Sequence, residues 1–309
     1  MIAPDEMFAV TIRHMTESTH QKGLAAAIFA FVFWGLAPIY FKLLNHVDAL
    51  NIIAHRVVWG ALLLAVFLLI RERKDFFKTI QVPLKVLFGL LLSGLLVVSN
   101  WLIFVWAVTH DQILATSLGY FINPLVNILL GTLFLKERLT KPQLLALILA
   151  AAGTLYLGVF LGQPPWIALS LAVSFGFYGL ARKLLQVRPL VGLLWETLWL
   201  IVPALAYIFY TMDAQLETNQ STMTLLFFSG LVTILPLIGF NYAAKRLSLT
   251  YIGFLQYMAP SISFIIAVLF YGEDFTHGHQ VAFAGIWAAL FIISFHSFKD
   301  RKRKKQTQS

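Results

Sequence analysis

Apolar segments of similar length recur along the whole chain. A bilayer core of about 30 Å is crossed by one helix of roughly 20 consecutive apolar residues. Segments of that length alternate with short polar connections, and each predicts a transmembrane helix: 23–44, 49–70, 85–108, 112–135, 142–161, 165–182, 190–211, 224–244, 249–271 and 279–298. The predicted fold class is therefore an all-α polytopic membrane protein with ten transmembrane helices.

The overall composition excludes several other classes of protein. Of the 309 residues, 59% are hydrophobic and 12% are charged, and the mean hydropathy is +0.80. A soluble domain carries about 25% charged residues and has too little interior for this much apolar surface. The apolar runs are too long for a transmembrane β-barrel, whose strands alternate over about 10 residues. The absence of cysteine excludes disulfides and thiolate catalysis.

The basic residues lie on one side of the predicted helices. The chain has 23 Lys and Arg residues and a net charge of +9. All of them except Lys42 and Arg56 fall in the two tails or in the even-numbered connections. The positive-inside rule then predicts that the N and C termini are cytoplasmic. This distribution indicates contact with the anionic headgroups of the lipid bilayer and not with nucleic acid.

The chain contains an internal repeat. Thr116–Glu137 aligns with Ile252–Glu273 at one constant offset and without a gap, so that Pro124 meets Pro260. The chain therefore divides into two halves of five helices each. Because five is odd, the second half enters the membrane from the opposite side. Such inverted repeats are typical of transporters that work by alternating access, with the binding site between the halves.

This repeat defines the predicted domain organisation. The parts are a cytoplasmic N-terminal tail at 1–22, a first repeat at 23–161, a second repeat at 165–298 and a basic cytoplasmic tail at 299–309.

Four strings carry a resemblance to a known family: FWGLAPIYFKLL (33–44), AHRVVWG (54–60), NWLIFVWAV (100–108) and GYFINPLVNILLG (119–131). They resemble the RarD subfamily of EamA transporters, in the drug/metabolite transporter superfamily. The resemblance extends from about Gly23 to Phe298. It implies two five-helix EamA repeats, a permease in the cytoplasmic (inner) membrane and a link to chloramphenicol sensitivity. It implies transport more strongly than any particular substrate.

Two ionisable residues lie within the predicted spans. Arg56 lies about seven residues into the second helix, and Glu196 about seven residues into the seventh; the offset that pairs Trp59 with Trp199 makes them equivalent. Charged groups at such depth are costly and usually functional. One hypothesis assigns an anionic group of the substrate to Arg56, and a cationic group or a coupling proton to Glu196. The alternative is a structural pair, or anchors to backbone carbonyls.

Small and polar residues form a stripe with helical spacing on the fourth predicted helix: Thr116, Tyr120, Asn123, Asn127 and Gly131. Gln256 lies at an equivalent position of the ninth helix. The stripe predicts either the wall of a central cavity or a seam between helices, since small and polar residues also join membrane helices. Pro124 and Pro260 interrupt the two helices and predict a gating or bending role.

The predicted substrate-binding residues are polar or aromatic side chains within the spans: Arg56, Trp34, Tyr40, Asn100, Trp101, Tyr120, Asn123, Asn127, Tyr178, Glu196, Asn241, Gln256 and Tyr257. No catalytic set, nucleotide-binding motif, metal site or cofactor is predicted.

The predicted function is secondary active transport, as an exporter of small organic metabolites or drug-like molecules. The predicted partners are that small-molecule substrate, the lipid bilayer, a coupling proton and a second copy in a homodimer. Two alternatives stay open. A membrane-embedded enzyme acting on lipids would need acids, histidines or a nucleophile clustered at one depth. A passive channel would favour a continuous polar lining.

Overall fold

The computed structural model describes the chain at residues 4–136, 138–162, 164–211, 220–244, 246–247 and 255–306. Within these ranges the regular secondary structure is helical, with no β-strand. The main helices are α1 (Pro4–Lys42), α2 (Ala49–Glu72), α3 (Leu84–Thr109), α4 (Ile113–Leu135), α5 (Lys141–Leu161), α6 (Trp166–Leu185), α7 (Pro189–Tyr210), α8 (Gln220–Ala244), α9 (Met258–Ile265) and α10 (His277–Gln306).

Most of these helices are long enough and apolar enough to cross a membrane. Eight meet both conditions in the described part of the chain, and the apolar runs Met258–Phe270 and His277–Ile293 are shorter. Large apolar side chains such as Ile70 and Val159 are exposed on the outside of the bundle, where lipid tails would cover them. The prediction of an all-helical polytopic membrane protein is confirmed at this level.

Three helix boundaries differ from the prediction. Helix α1 begins at Pro4, within the predicted tail at 1–22, and α10 continues to Gln306, within the predicted basic tail. Hydropathy marks only the apolar part of a helix, whereas Gln, Glu, Lys and Arg also favour helix. Helix α9 begins at Met258. Part of the predicted ninth span, at 249–254, lies outside the described residues, as does Glu137 of the repeat alignment.

Eight helices pack in a closed ring. Going round the ring, the order is α1, α8, α2, α7, α3, α6, α4 and α9, and α9 packs against α1. Helices α5 and α10 pack mainly against each other, outside the ring and beside α4. Residues that point inwards from α2, α3, α4 and α7 therefore meet in the middle of the ring.

Glycine allows a close approach beside the candidate site. A Cβ atom added at Gly94 of α3 would lie 3.0 Å from the backbone oxygen of Glu196 on α7. The absence of a side chain at Gly94 thus brings α3 directly against the helix that carries Glu196.

A carboxylate at the end of the ninth span caps the start of α4. Helix α9 continues as a π-helix, Ile266–Phe270, and Gly272 follows with a φ of 65°. Glu273 then accepts hydrogen bonds from the backbone N–H groups of Ile113 (2.7 Å) and Leu114 (2.8 Å). These are the first residues of α4, where N–H groups lack helical partners and a negative charge is favourable.

An ion pair lies beside this cap. Lys42, the last residue of α1, pairs with Asp111 in the turn between α3 and α4. Its ammonium group also lies 5.6 Å from the centroid of the Tyr271 ring. We refer to Glu273, Ile113, Leu114, Lys42 and Asp111 as the Glu273 clasp, because they join α1, α4 and the connection after α9.

Candidate functional site

Arg56 of α2 lies inside the ring and is 7% exposed. Its Nε–H group donates a 2.6 Å hydrogen bond to Oγ1 of Thr233 on α8. Its guanidinium lies 4.2 Å from the centroid of the Trp101 ring on α3 and 5.4 Å from that of Phe41 on α1. Stacking on aromatic faces stabilises a cation that has lost its water. Four helices therefore hold this arginine in place.

The outer edge of the Arg56 guanidinium has no anionic partner within the protein. Among the described residues, no carboxylate is within ion-pair distance of Arg56, and its two Nη groups have no hydrogen-bond acceptor. The planar fork of arginine binds a carboxylate or a phosphate through two parallel hydrogen bonds. This edge is therefore suited to an anionic group.

Polar side chains of α1, α3 and α4 lie around Arg56. The Tyr120 hydroxyl donates to Oδ1 of Asn100 at 3.3 Å, and the Asn100 amide donates to Oγ of Ser174 on α6 at 3.0 Å. The Tyr40 hydroxyl donates to the backbone oxygen of Leu225 on α8. Tyr120, Asn100 and Ser174 thus form one chain of hydrogen bonds across α4, α3 and α6, whereas Tyr40 makes a separate bond to α8.

Asn123 lies three residues beyond Tyr120 on α4. It is 8% exposed, and its Oδ1 atom has no hydrogen-bond donor among the described residues. A buried acceptor without a partner costs free energy, which a bound hydroxyl or amino group would recover. The Asn123 Oδ1 atom is therefore a candidate acceptor for a donor group of a bound molecule.

Glu196 of α7 is 0% exposed and is enclosed by three side chains. Its Oε1 atom accepts a 2.5 Å hydrogen bond from Ser93 on α3 and lies 3.4 Å from Nη1 of Arg182 on α6. Its Oε2 atom accepts a hydrogen bond from the Tyr178 hydroxyl at 3.3 Å. Arg56 and Glu196 are therefore not a pair, since Arg182 is the ion-pair partner of Glu196.

The two buried charged residues have opposite charges but are hydrogen-bonded in a similar way. In each, a hydroxyl from a neighbouring helix bonds the charged group, Thr233 with Arg56 and Ser93 with Glu196. The sequence offset that relates Arg56 to Glu196 also relates Ser93 to Thr233. The pair Arg56–Thr233 and the pair Glu196–Ser93 are thus related to each other by a single offset of the repeat.

Helix α3 connects the two sites. Ser93 and Trp101 are eight residues apart, which is about 12 Å of α-helix. A row of aromatic rings also runs between the sites: the centroids of Tyr120 and Phe175 are 6.3 Å apart, and those of Phe175 and Tyr178 are 5.9 Å apart.

A cleft of about 210 Å³ opens between α4 and α6. Its lining consists of Asn127, Leu130, Gly131, Leu135, Gly176, Gly179, Leu180 and Lys183. The polar stripe of α4 therefore has two parts. Thr116 is buried and donates to the Ile113 carbonyl of its own helix, whereas Asn127 and Gly131 face open space.

Several predicted residues contact neither charged group. Trp34 packs on Phe31 and Phe240, with ring centroids 5.7 and 5.9 Å away. The Asn241 amide donates to the Leu237 carbonyl of its own helix at 2.8 Å. Both side chains are therefore occupied within the structure described here.

The residues around Pro260 lie at the junction of α4 and α9. Tyr257 stacks on Phe121 with ring centroids 6.3 Å apart, and Gln256 is exposed. The Pro260 carbonyl accepts a 2.7 Å hydrogen bond from Ser117. Pro124 lies in the interior of α4, whereas Pro260 is in the first turn of α9 as described, where proline is well tolerated.

Sequence reasoning misses Arg182 as a site residue. The charge pattern assigns it to a cytoplasmic connection, but it lies in the last turn of α6 and pairs with Glu196. Its spacing of four residues from Tyr178 places both side chains on one face of a helix. This spacing is the feature of the sequence from which Arg182 could have been predicted as a site residue. The hydroxyl partners Ser93 and Thr233 are missed because serine and threonine are common in membrane helices.

Metal chemistry finds no support in the described residues, which contain no group of three or more His, Asp or Glu side chains placed to hold an ion. The site is one of arginine, aromatic rings, hydroxyls and amides.

Comparisons with known proteins show the family to which this chain belongs. The model of the EamA-like transporter family matches residues 21–159 and 165–295. An "Uncharacterized transporter" of Vibrio cholerae is 47% identical over 285 residues, covering 90% of this chain and 94% of that protein. The chain therefore belongs to the EamA-like transporter family and is a multi-pass membrane protein.

Within that family, the chain is similar to proteins named RarD. "Protein RarD" of Escherichia coli is 43% identical over 288 residues, which cover 92% of this chain and 97% of that protein. "Chloramphenicol-sensitive protein RarD" of Pseudomonas aeruginosa is 31% identical over 285 residues, covering 89% and 94%. The resemblance seen in the sequence is confirmed. Relatives named as transporters also fit the prediction of a non-enzymatic function.

A solved crystal structure shares the fold. It is 16% identical, covers 89% of this chain and 98% of its own, and has a TM-score of 0.58. At this identity the likeness concerns the fold alone.

Proposed function

We propose that this protein is a secondary transporter that exports small organic molecules with an acidic group across the cytoplasmic membrane. The observation that carries the proposal is the Arg56 guanidinium, buried among four helices with its outer edge unpaired. A buried charge is expensive and is usually kept for a purpose. The substrate anion would complete its hydrogen bonds, and Asn123 would bind a donor on the same molecule.

The proposed architecture is ten transmembrane helices in two inverted repeats, with 23–161 and 165–298 as the two halves. The order of the ring supports it. When each helix is exchanged with the helix five places along, each neighbour pair of the ring maps onto a neighbour pair of the ring. The pairs α2 with α7, α4 with α9 and α5 with α10 map onto themselves. The single offset that relates the two charge–hydroxyl pairs agrees with this exchange.

Alternating access is the proposed mechanism. The two halves would rearrange around the Arg56 region, opening it to one side of the membrane at a time. Pro124 would permit α4 to bend, Pro260 would permit a change of direction where α9 begins, and the cleft at Asn127 would be part of the path. The basic connections support an orientation with both termini in the cytoplasm. The driving force would be a proton gradient.

The experiment uses purified protein in liposomes loaded with a ¹³C-labelled extract of bacterial small molecules that also contains chloramphenicol. Mass spectrometry of the outside solution identifies what is released. The expected result is saturable release of particular acids. Arg56→Ala should reduce it by about tenfold or more, since hydrogen bonds to charged groups contribute roughly 1.5–3 kcal/mol.

The control is Lys78→Ala, an exposed cation in the connection after α2, which should leave release unchanged. Unsaturable release would indicate a channel, and a release profile equal to that of empty liposomes would contradict transport. Equal release by Arg56→Ala and the natural protein would contradict the role of Arg56. Chloramphenicol tests whether the name of the Pseudomonas aeruginosa relative applies here. The homodimer stays a prediction, which native mass spectrometry would test.

A further inference from the structure

The Glu196 site is closed by the protein itself, unlike the Arg56 site. Its partners are Ser93, Tyr178 and Arg182, and its side chain is 0% exposed. A carboxylate buried this completely is tolerated only when it is well paired or takes up a proton.

The pairing of Glu196 is incomplete for so buried a charge. Arg182 approaches with one nitrogen at 3.4 Å, and its other terminal nitrogen donates to the Pro189 carbonyl at 3.2 Å. Strong arginine–carboxylate pairs use two parallel bonds of about 2.7–2.9 Å. Among the described residues, Tyr178 alone bonds the Oε2 atom of Glu196, at 3.3 Å. A proton on Oε2 would therefore displace no strong contact.

Residues two and three positions before Glu196 on α7 belong to an apolar cluster. Helix α2 contributes Leu64 and Leu68 to a cluster that contains Leu193 and Leu194 of α7. The nearby acidic group of α2, Glu72, is already paired with an arginine outside this cluster. Helix α3 presents Ser93, which does not titrate. Among the described residues, Arg182 and Tyr178 are thus the ionisable groups that face Glu196.

We propose that Glu196 is a proton-binding site and that Arg182 is a built-in cation that competes with the proton for it. The inference rests on the proposed transport function, whose coupling step it assigns to a residue. A proton from water adds to Oε2 and converts the carboxylate into a neutral carboxyl, whose O–H donates to the Tyr178 hydroxyl oxygen. Arg182 keeps its charge and is released towards the nearby end of α6.

The position of the site between helices of both proposed halves couples the proton to movement. Ser93 belongs to the first half, whereas Arg182 and Glu196 belong to the second. A shift of α3 against α6 and α7 removes the Ser93 hydrogen bond from Oε1. Because that bond stabilises the charged carboxylate, the affinity of Glu196 for a proton changes with the arrangement of the halves.

The first test needs no substrate, and it uses the absence of cysteine from the chain. Leu180→Cys places a thiol in the cleft, two residues from Arg182. Its alkylation rate by N-ethylmaleimide in nanodiscs is measured across a series of pH values. The rate is divided by that of Gln186→Cys, an exposed position after α6, which corrects for the general rise of thiol reactivity with pH. The expected ratio changes sigmoidally with pH.

Variants of the pair distinguish a proton site from a structural bridge. Glu196→Gln should remove the sigmoid. Arg182→Gln should move its midpoint to higher pH by about 1–3, because the carboxylate loses its opposite charge. Glu72→Gln, which alters a carboxyl paired with Arg188 outside the site, should leave the profile unchanged. A pH-independent ratio in the unsubstituted site, or a sigmoid that survives Glu196→Gln, overturns the proposal.

Transport separates this inference from the proposed function. In liposomes loaded with the ¹³C-labelled extract, Glu196→Gln should lose the response of release to an imposed pH gradient, whereas Glu72→Gln should keep it. If Glu196→Gln keeps that response, the proton site is wrong while transport stands. If the natural protein releases nothing, the transport function fails, and the alkylation profile still decides whether Glu196 binds a proton.

Discussion

At the residue scale, the two buried charges are held in different ways, and the difference follows from side-chain chemistry. Arg56 lies against the aromatic faces of Trp101 and Phe41 and donates one N–H to Thr233. Glu196 cannot use aromatic faces, since their quadrupole repels an anion, and it is bonded by hydroxyl groups and Arg182. Arg56 therefore keeps N–H groups that can bind an anion. Glu196 instead has a contact that a proton can replace.

The Thr233 hydroxyl orients Arg56, and its removal should weaken substrate binding. Thr233→Val keeps the shape and leaves the Nε–H of Arg56 without an acceptor, so the apparent affinity should fall by roughly 10-fold. The measurement is the concentration dependence of exchange in liposomes. Thr154→Val is the matched control, because the bond of the Thr154 hydroxyl among the described residues is to the Ala150 carbonyl of its own helix. Equal losses in both variants would contradict the orienting role.

The sequence allows the charged residues to be predicted, but not most of their partners. Arg56 and Glu196 stand out because each interrupts an apolar run. Thr233 lies 177 residues from Arg56, and a lone threonine in a membrane helix carries no signal of its own. From the sequence, Trp34 and Asn241 are as good candidates for the site as Trp101 and Asn100, because all four lie within predicted spans. Only packing against Phe240, and a bond within α8, distinguish them in the structure.

At the element scale, the start of α4 depends on a residue from another part of the chain. Its N-cap position is Gln112, whose side chain makes no capping bond, and Glu273 supplies the acceptors instead. The π-helix before Gly272 leads the chain to this point. The periodicity of α4 can be read from the sequence. The cap cannot, because it comes from about 160 residues away.

The Glu273 clasp should make stability depend on pH. Burial raises the pKa of the Glu273 carboxyl above its ordinary value of 4.5, while the backbone N–H groups of Leu114 and Ile113 lower it in part. An acid whose pKa is raised on folding stabilises the folded state in its protonated form. That contribution is lost as the pH rises from about 4.5 through the raised pKa.

Glu273→Gln should therefore remove this part of the pH dependence. Thermal unfolding in detergent, followed between pH 4 and 8, gives the difference between the natural protein and the variant. The natural protein should lose stability relative to Glu273→Gln as the pH rises. Asp274→Asn, an exposed carboxyl next to the clasp, should follow the natural curve. A constant difference across the range would show that the carboxyl does not titrate there.

At the scale of the whole molecule, two independent patterns agree on the architecture. Alternating charge in the connections and the repeat that aligns Pro124 with Pro260 both follow from the sequence. They predict the number of spans and the inversion. The order of helices round the ring depends on which faces fit together, as at Gly94, and no local pattern specifies it.

The proposed orientation gives opposite labelling for two exposed positions. His110→Cys, between α3 and α4, should react with a membrane-impermeant maleimide in intact cells. Gln186→Cys, after α6, should react only after the membrane is opened, because its connection is basic and predicted to be cytoplasmic. The cysteine-free chain is the background for both. Reaction of Gln186→Cys in intact cells would contradict the orientation.

The pair formed by α5 and α10 has a mechanical consequence. A Cβ atom at Gly153 would lie 3.1 Å from the Ala282 oxygen, and one at Gly285 would lie 3.0 Å from the Leu149 oxygen. Backbone therefore meets backbone at two points, and no side chain lies between them that could slide or change rotamer. These helices end the two halves. In the proposed alternating-access movement, we therefore expect α5 and α10 to stay together as a rigid pair while the ring changes shape.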